Sequence, residues 1–274
     1  MTTVAEVGAV IDKLFPPELA EDWDAVGLAV GDPSRAVTRV HFAVDPTFDV
    51  AQEAIAAGAQ LLVTHHPLML RGVTSVAATT SKGAVAQALI EAGVAQFAAH
   101  TNADSGLGGV ADALAGAIGM TVEGPLVPAV PGGGIGTGRI GTVAPTSLGE
   151  FAEAVAAALP NTHAGVLFAG PADARVSRVA VVGGAGDAYI SDAIGAGVDV
   201  YVTADLRHHP VLEARETTRL GDGRPYFVNV SHAASEWLWL ESCADAVAQA
   251  TGVAVYVSTL NTDPWTGRAG GITS

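Results

Sequence analysis

Cysteine is nearly absent: Cys243 stands alone in 274 residues. A single thiol excludes an internal disulfide and fits a reducing compartment. It falls within a helical segment, where it reads as a packing residue rather than a nucleophile. Basic residues are scarce too, 13 against 28 acidic, for a formal charge of −15. Affinity for phosphate backbones comes mainly from lysine and arginine, so direct binding to nucleic acid or to an acidic membrane is excluded. Although 49% of the residues are hydrophobic, no stretch of ~18 apolar residues could span a bilayer. The start, Met1-Thr2-Thr3-Val4-Ala5-Glu6, lacks the basic beginning and apolar centre of a signal peptide. The expected location is cytoplasmic.

Histidine is what the chain does have, and in a pattern. His65-His66 closes the apolar run Gln60 to Thr64. Successive side chains of a strand point to opposite faces, but at a strand's end, where the backbone leaves the sheet, adjacent imidazoles can converge on an ion. Open α/β sheets place ligands at those carboxyl ends. His100 to Asp104 follows another apolar stretch, Val94 to Ala99, and His232 to Glu236 follows a third, Tyr226 to Val230. His232 and Glu236, four apart at a helix start, share one face. Of eight histidines only His41 and His163 lie outside such settings. The pattern points to metal.

Apolar periodicity supplies the frame. It predicts a helix over Val4 to Leu14, a strand over Val37 to Val44, a helix from Phe48 to Ala57, the strand ending at His65, and helices over Lys82 to Ala92 and Val110 to Ile118. A Gly/Pro-rich segment, Val122 to Gly141, reads as a domain crossing or mobile loop. Val179 to Val182, the turn Gly183 to Gly186, a helix over Asp187 to Ala196 and the strand Val198 to Thr203 then echo the first βαβ unit. Gly184-Ala185-Gly186 is a tight strand-to-helix turn and not a dinucleotide fingerprint, because its third glycine is missing. A last helix, Ala233 to Ala250, puts Trp237, Leu240, Ala244 and Val247 in the core, with Trp239 beside them, before the strand Val253 to Val257.

The fold is therefore expected to be α/β, two similar layered units with mostly parallel sheets and the metal cluster in the cleft between them. The first unit should hold residues 1–126 joined by 229–274, and the second 127–228, with no large inserted domain.

Four segments resemble a known family. Trp23-Asp24-Ala25-Val26-Gly27-Leu28, the Gly-Ala-x-Leu-Leu-x-Thr-His-His-Pro-Leu run of Gly58 to Leu68, the His-Thr-x-x-Asp of His100 to Asp104, and the His-x-x-Ser-Glu of His232 to Glu236 occur in family order. They are similar to the dinuclear metal-centre hexameric proteins, the Ngg-interacting-factor-like group also labelled type-2 homologues of GTP cyclohydrolase I. The resemblance implies two ions between His65, His66, Asp104, His232 and Glu236, and assembly into hexamers. Ser231 and Ala233 depart from the Gly-His-Tyr of the family's last motif, so no tyrosine hydroxyl stands beside His232.

Histidine with carboxylate suits Zn, Fe, Mn or Co, and the lack of cysteine ligands argues against a structural zinc knot. His100 fits a proton-transfer role. Asp205 and His209, near the second His-His-Pro at His208 to Pro210, resemble the family's Thr-Gly-Asp-x-x-x-His stretch with Ala204 for the glycine, and the resemblance implies that they line the cavity wall. The functional expectation is a metal-dependent hydrolase acting on a small, nucleotide-like substrate, with a non-catalytic metal-binding or metal-delivery protein as the alternative. High apolar content with few charges also favours a closed homo-oligomer.

Overall fold

The computed structural model describes residues 1–270, and the chain divides into two compact units, Met1–Gly109 with Trp239–Thr262 and Val110–Leu238 with the tail from Asp263.

The first unit carries α1 (Val4–Leu14), β1 (Gly27–Val30), β2 (Arg39–Ala43), α2 (Phe48–Ala56), β3 (Leu61–Thr64), α3 (Ser81–Ala92), β4 (Ala95–Ala98) and α4 (Thr101–Ser105), and later α10 (Trp239–Thr251) and β13 (Ala254–Val257). Its five-stranded sheet runs β1-β4-β3-β2-β13, parallel except for the edge strand β1. Thr3 opens α1 with a reciprocal capping box to Glu6. Strand alternation sorts the core. Ala43 and Leu62 pack with Val50, Ala54, Val85 and Leu89 of α2 and α3, while Val40 and Phe42, next in the pleat, are buried on the opposite face.

The second unit holds α5 (Val110–Ala117), β5 (Thr121–Gly124), β6 (Val127–Pro128), β7 (Gly136–Thr137), β8 (Arg139–Ser147), α6 (Leu148–Ala158), β9 (Leu167–Ala169), β10 (Arg175–Ala185), α7 (Ile190–Gly195), β11 (Val200–Ala204), α8 (His208–Thr218), β12 (Tyr226–Val230) and α9 (His232–Trp237). Its six-stranded sheet runs β5-β8-β10-β11-β12-β9. Only the central β10-β11-β12 is parallel, and the flanking pairs are antiparallel. Val179, Val181, Val202 and Val228 pack with Leu114, Leu148, Phe151 and Ala234 of α5, α6 and α9. Ala180, Val182, Tyr201 and Phe227, one residue out of phase, pack with Ile190, Ala193 and Ala214 of α7 and α8. Both faces of the sheet are therefore covered, which makes three layers.

The expected boundaries shift. The second unit begins at Val110, because β5 pairs with β8 and α5 lies on β10. The Gly/Pro-rich segment is ordered: it forms the β6–β7 hairpin and leads into Arg139, which is 1% exposed. Arg139 holds Asp112 through Nε at 2.6 Å and Nη2 at 2.8 Å, and Nη1 donates to the Gly136 and Gly138 carbonyls. The expected last helix is two helices, α9 and α10, meeting at Leu238, and they belong to different units. Trp239 and not Trp237 fills the core, at 0% exposure, whereas Trp237 is half-buried.

Candidate metal centre

The first set of side chains stands at strand ends of the first unit. His65 and His66 follow β3, and His100 follows β4 as the N-cap of α4. Their ligand atoms lie within 4.8 Å of one another, with ring centroids 5.0 to 5.4 Å apart. Each ring is pinned at Nδ1. His65 donates to the Ala99 carbonyl at 2.9 Å, His66 to Asp45 Oδ1 at 2.7 Å and His100 to Asp24 Oδ1 at 2.8 Å. A carbonyl or carboxylate can only accept, so Nδ1 is the donor in each ring and Nε2 is the nitrogen left to meet an ion.

The pinning acceptors are held in turn. Asp45 Oδ2 accepts from Thr262 at 2.5 Å, and Asp24 Oδ2 accepts from the Thr101 amide at 3.0 Å and hydroxyl at 2.5 Å. Burial alone would raise the Asp24 carboxyl, but the hydrogen bonds from His100 and Thr101 outweigh it and hold it well below the usual carboxylate range. Asp104, on the single turn of α4, brings Oδ1 to 3.6 Å from His65 Nε2. Behind His65 stands the Trp239 ring, centroid at 5.6 Å, itself edge-on to Phe15. This wall keeps the inner side of the cluster apolar.

The second set lies in the second unit. His232 opens α9 and donates Nδ1 to Asp205 Oδ2 at 2.7 Å, while its Nε2 stands 3.0 Å from Glu236 Oε1 one turn on. The Glu236 side chain is 3% exposed. Asp205, just past β11, is the one non-glycine at positive φ among the described residues, at 52°, a conformation in which Asp is tolerated. Gly184, at the end of β10, lies beneath the pair with φ +65, and a Cβ there would fall 2.3 Å from Glu236 Oε1 and 3.1 Å from His232 Nε2. Its amide donates to Ser235 Oγ at 2.9 Å, and its carbonyl accepts from Thr203 at 3.0 Å. The segment read as a turn from Gly183 to Gly186 is instead the irregular end of β10, which runs to Ala185, and it is the platform on which the helix start rests.

Four imidazoles fixed through Nδ1 by an acceptor is the arrangement that metal-ligating histidines require, since the outer hydrogen bond sets both tautomer and ring orientation. The donors are imidazole nitrogens and carboxylate oxygens, buried or half-buried, and could hold metal ions. The structure groups His100 with His65 and His66 within 4.8 Å, and it brings Asp104 to 3.6 Å from His65. It ties Asp205 to His232, and it leaves His209 exposed on α8 against the His208 ring, outside the lining of the neighbouring groove. Asp24 and Asp45 were missed in the sequence. Both are carboxylates beside strand or motif ends, and only the distance to an imidazole gives them a role. Burial pushes the Cys243 thiol up to about 12, in keeping with packing.

An α/β protein whose strand ends present fixed imidazoles and carboxylates is the class these observations define. A profile of the Duf34/NIF3 (NGG1p interacting factor 3) family matches residues 2–264, and the chain belongs to that family. It is 47% identical to a GTP cyclohydrolase 1 type 2 homolog of Streptomyces coelicolor, across 97% of this chain and 94% of that one. A hypothetical protein of Staphylococcus aureus superposes with a TM-score of 0.85 at 28% identity, covering 96% and 98% of the two chains. A Bacillus cereus protein related to NIF3 shares the fold, with a TM-score of 0.88 at 24% identity over 97% of this chain and 99% of that one. Among the described residues no helix is long and apolar enough to cross a membrane.

Proposed function

We propose that the chain is a metal-dependent hydrolase of a small, nucleotide-like substrate, with two divalent transition-metal ions held by His65, His66, Asp104, His232 and Glu236. The observation that carries this reading is the pinning of all four imidazoles at Nδ1. Zn, Fe, Mn or Co suits this donor set. Bound ions would supply Lewis acidity and lower the pKa of water.

The chain's own residues do the rest. Asp24, Asp45 and Asp205 orient the rings and raise their basicity. His100 presents Nε2 as a proton acceptor, and Asp24 Oδ1, at 2.8 Å from its Nδ1, stabilises the charged ring that results. Trp239 and Phe15 exclude water from behind His65. Ala233 offers no hydroxyl beside His232, and this favours, as the second reading, a metal-holding protein that works through partners. We further propose a closed homo-oligomer, six copies in the family's manner.

Elemental analysis of untagged protein followed by a nucleotide and phosphoester hydrolysis screen tests the proposal. Turnover lost to chelator and restored by added metal supports it, and metal without turnover supports the second reading. His65→Ala and Glu236→Gln should fold and lose metal, and Asp45→Asn should weaken metal affinity by about 10–100-fold. Full occupancy in both His65→Ala and Glu236→Gln would mean the ligands are elsewhere.

A further inference from the structure

We propose a second binding site, a groove on the second unit that takes a small amphiphilic anion: an aromatic or branched apolar body bearing one carboxylate or phosphate. The groove encloses about 360 Å³ between α8 and the edge strand β9, within the ~300–1,000 Å³ range of small-molecule sites. Phe227 forms its floor at 1% exposure, while Leu167, Phe168 and Leu212 on its sides are 59%, 43% and 46% exposed. Large apolar side chains clustered and left to water mark a surface made to be covered.

Its polar groups share one character. They are Arg207, Arg215, His208 and Asn229, and among the described residues no carboxylate lines the groove, in a chain with 28 acidic residues against 13 basic. Arg215 is fixed in advance: its guanidinium lies 5.1 Å from the Tyr226 ring centroid and donates to the Gly223 and Pro225 carbonyls. Those acceptors are neutral, so its charge is not cancelled by them, and little side-chain freedom remains to be lost on binding. Arg207 pairs through Nε with Asp187 and contributes donors more than net charge. Asn229 Oδ1 accepts from the Leu206 amide at 3.0 Å, which settles that the NH2 end of this lining side chain is the one left to donate. Apolar walls around donors and a placed cation fit an anion with an apolar body.

The test uses the full chain and two fluorescent probes that share one ring body. 1-Anilinonaphthalene-8-sulfonate carries an anion, and N-phenyl-1-naphthylamine does not. The sulfonate should bind at one site per chain and about tenfold more tightly than the neutral probe, the worth of one charge-assisted hydrogen bond. Leu212→Trp, which fills the groove from an exposed position, should abolish binding of both probes. Arg215→Leu should bring the two affinities together, and Arg207→Glu, at an exposed site away from the core, should narrow the gap should Arg215→Leu not fold. 1-Naphthoate and 1-naphthyl phosphate should each displace the sulfonate, their order separating carboxylate from phosphate, and 1-naphthalenemethanol should do so only at about tenfold higher concentration. Equal affinity for the two probes, undiminished binding to Leu212→Trp, or binding that appears only when an oligomer dissociates would overturn the proposal.

Discussion

In the proposed metal centre the geometry of the His232–Glu236 pair depends on a residue outside the proposed ligand set, and Gly184 shows how sharply. Gly184 and Gly197 have nearly the same backbone, φ +65 and +64, but a Cβ on Gly184 would meet Glu236 and His232 while one on Gly197 meets nothing within 4 Å. Left-handed strain, about 1–3 kcal/mol for a residue with a Cβ, is common to both. Gly197→Ala should therefore lose some stability and keep its metal. Gly184→Ala should lose stability by at least as much and also lose metal, because the Glu236 carboxylate must move. Metal content and thermal unfolding of the two variants, prepared alike, separate the contributions, and equal metal content would show that Gly184 does not set the proposed ligand pair.

Among the elements, the break between α9 and α10 decides which tryptophan matters. Helical spacing puts Trp237 with Leu240, Ala244 and Val247, but the chain leaves the helix at Leu238 and restarts, so Trp239 takes the core position. Trp239→Ala should cost about 3–5 kcal/mol through the cavity it leaves, and it should disturb His65, whose ring it supports. Trp237→Ala, at a half-buried site, should cost clearly less. Chemical denaturation of both variants in the presence of chelator checks the order without contribution from metal. A similar economy appears in the two βαβ units. Thr64 donates to the His66 carbonyl at 2.6 Å, while Thr203 donates to Gly184. One residue type at the same point of each unit braces the backbone beside a different pair of proposed ligands.

For the molecule as a whole, stability should fall as the medium is acidified, in two stages. His41 is fully buried on β2, bonded to Glu53 at 2.9 Å and stacked on Tyr256. Burial lowers its pKa, and Glu53 only partly offsets this. The unfolded chain therefore binds this proton first, and stability declines once the pH drops below about 6.5, the ordinary histidine value. Asp24, whose pKa is depressed, contributes stability that is complete above about pH 4 and is lost as pH falls below that. Melting temperatures between pH 7 and pH 5, measured in chelator, should fall for the parent and fall less for His41→Gln. Identical slopes would remove His41 from the account. The proposed assembly is checked separately: light scattering at micromolar concentration should report a particle several times the 27.5 kDa of one chain, and a monomer would refute it.

Much of this protein is legible in one dimension. The βαβ rhythm, α1 at Val4–Leu14 and the strands ending at His65, His100 and His232 follow from apolar periodicity, because burial imposes period 2 on strands and 3.6 on helices. The histidines at those ends are groups that could hold an ion, and they stand in plain sight in the sequence. What periodicity could not supply was anything set by distance between remote residues. The antiparallel edges of the second sheet, the buried Arg139–Asp112 pair and the placement of α5 and β5 depend on which strands find one another. Asp24 and Asp45 look like ordinary polar residues, and Asp205 reads only as cavity wall, until folding places each within 2.8 Å of an imidazole Nδ1. Residue types and local pattern determine which groups could bind an ion, and tertiary contacts alone determine which nitrogen each ring presents, because that is settled by the acceptor across from it.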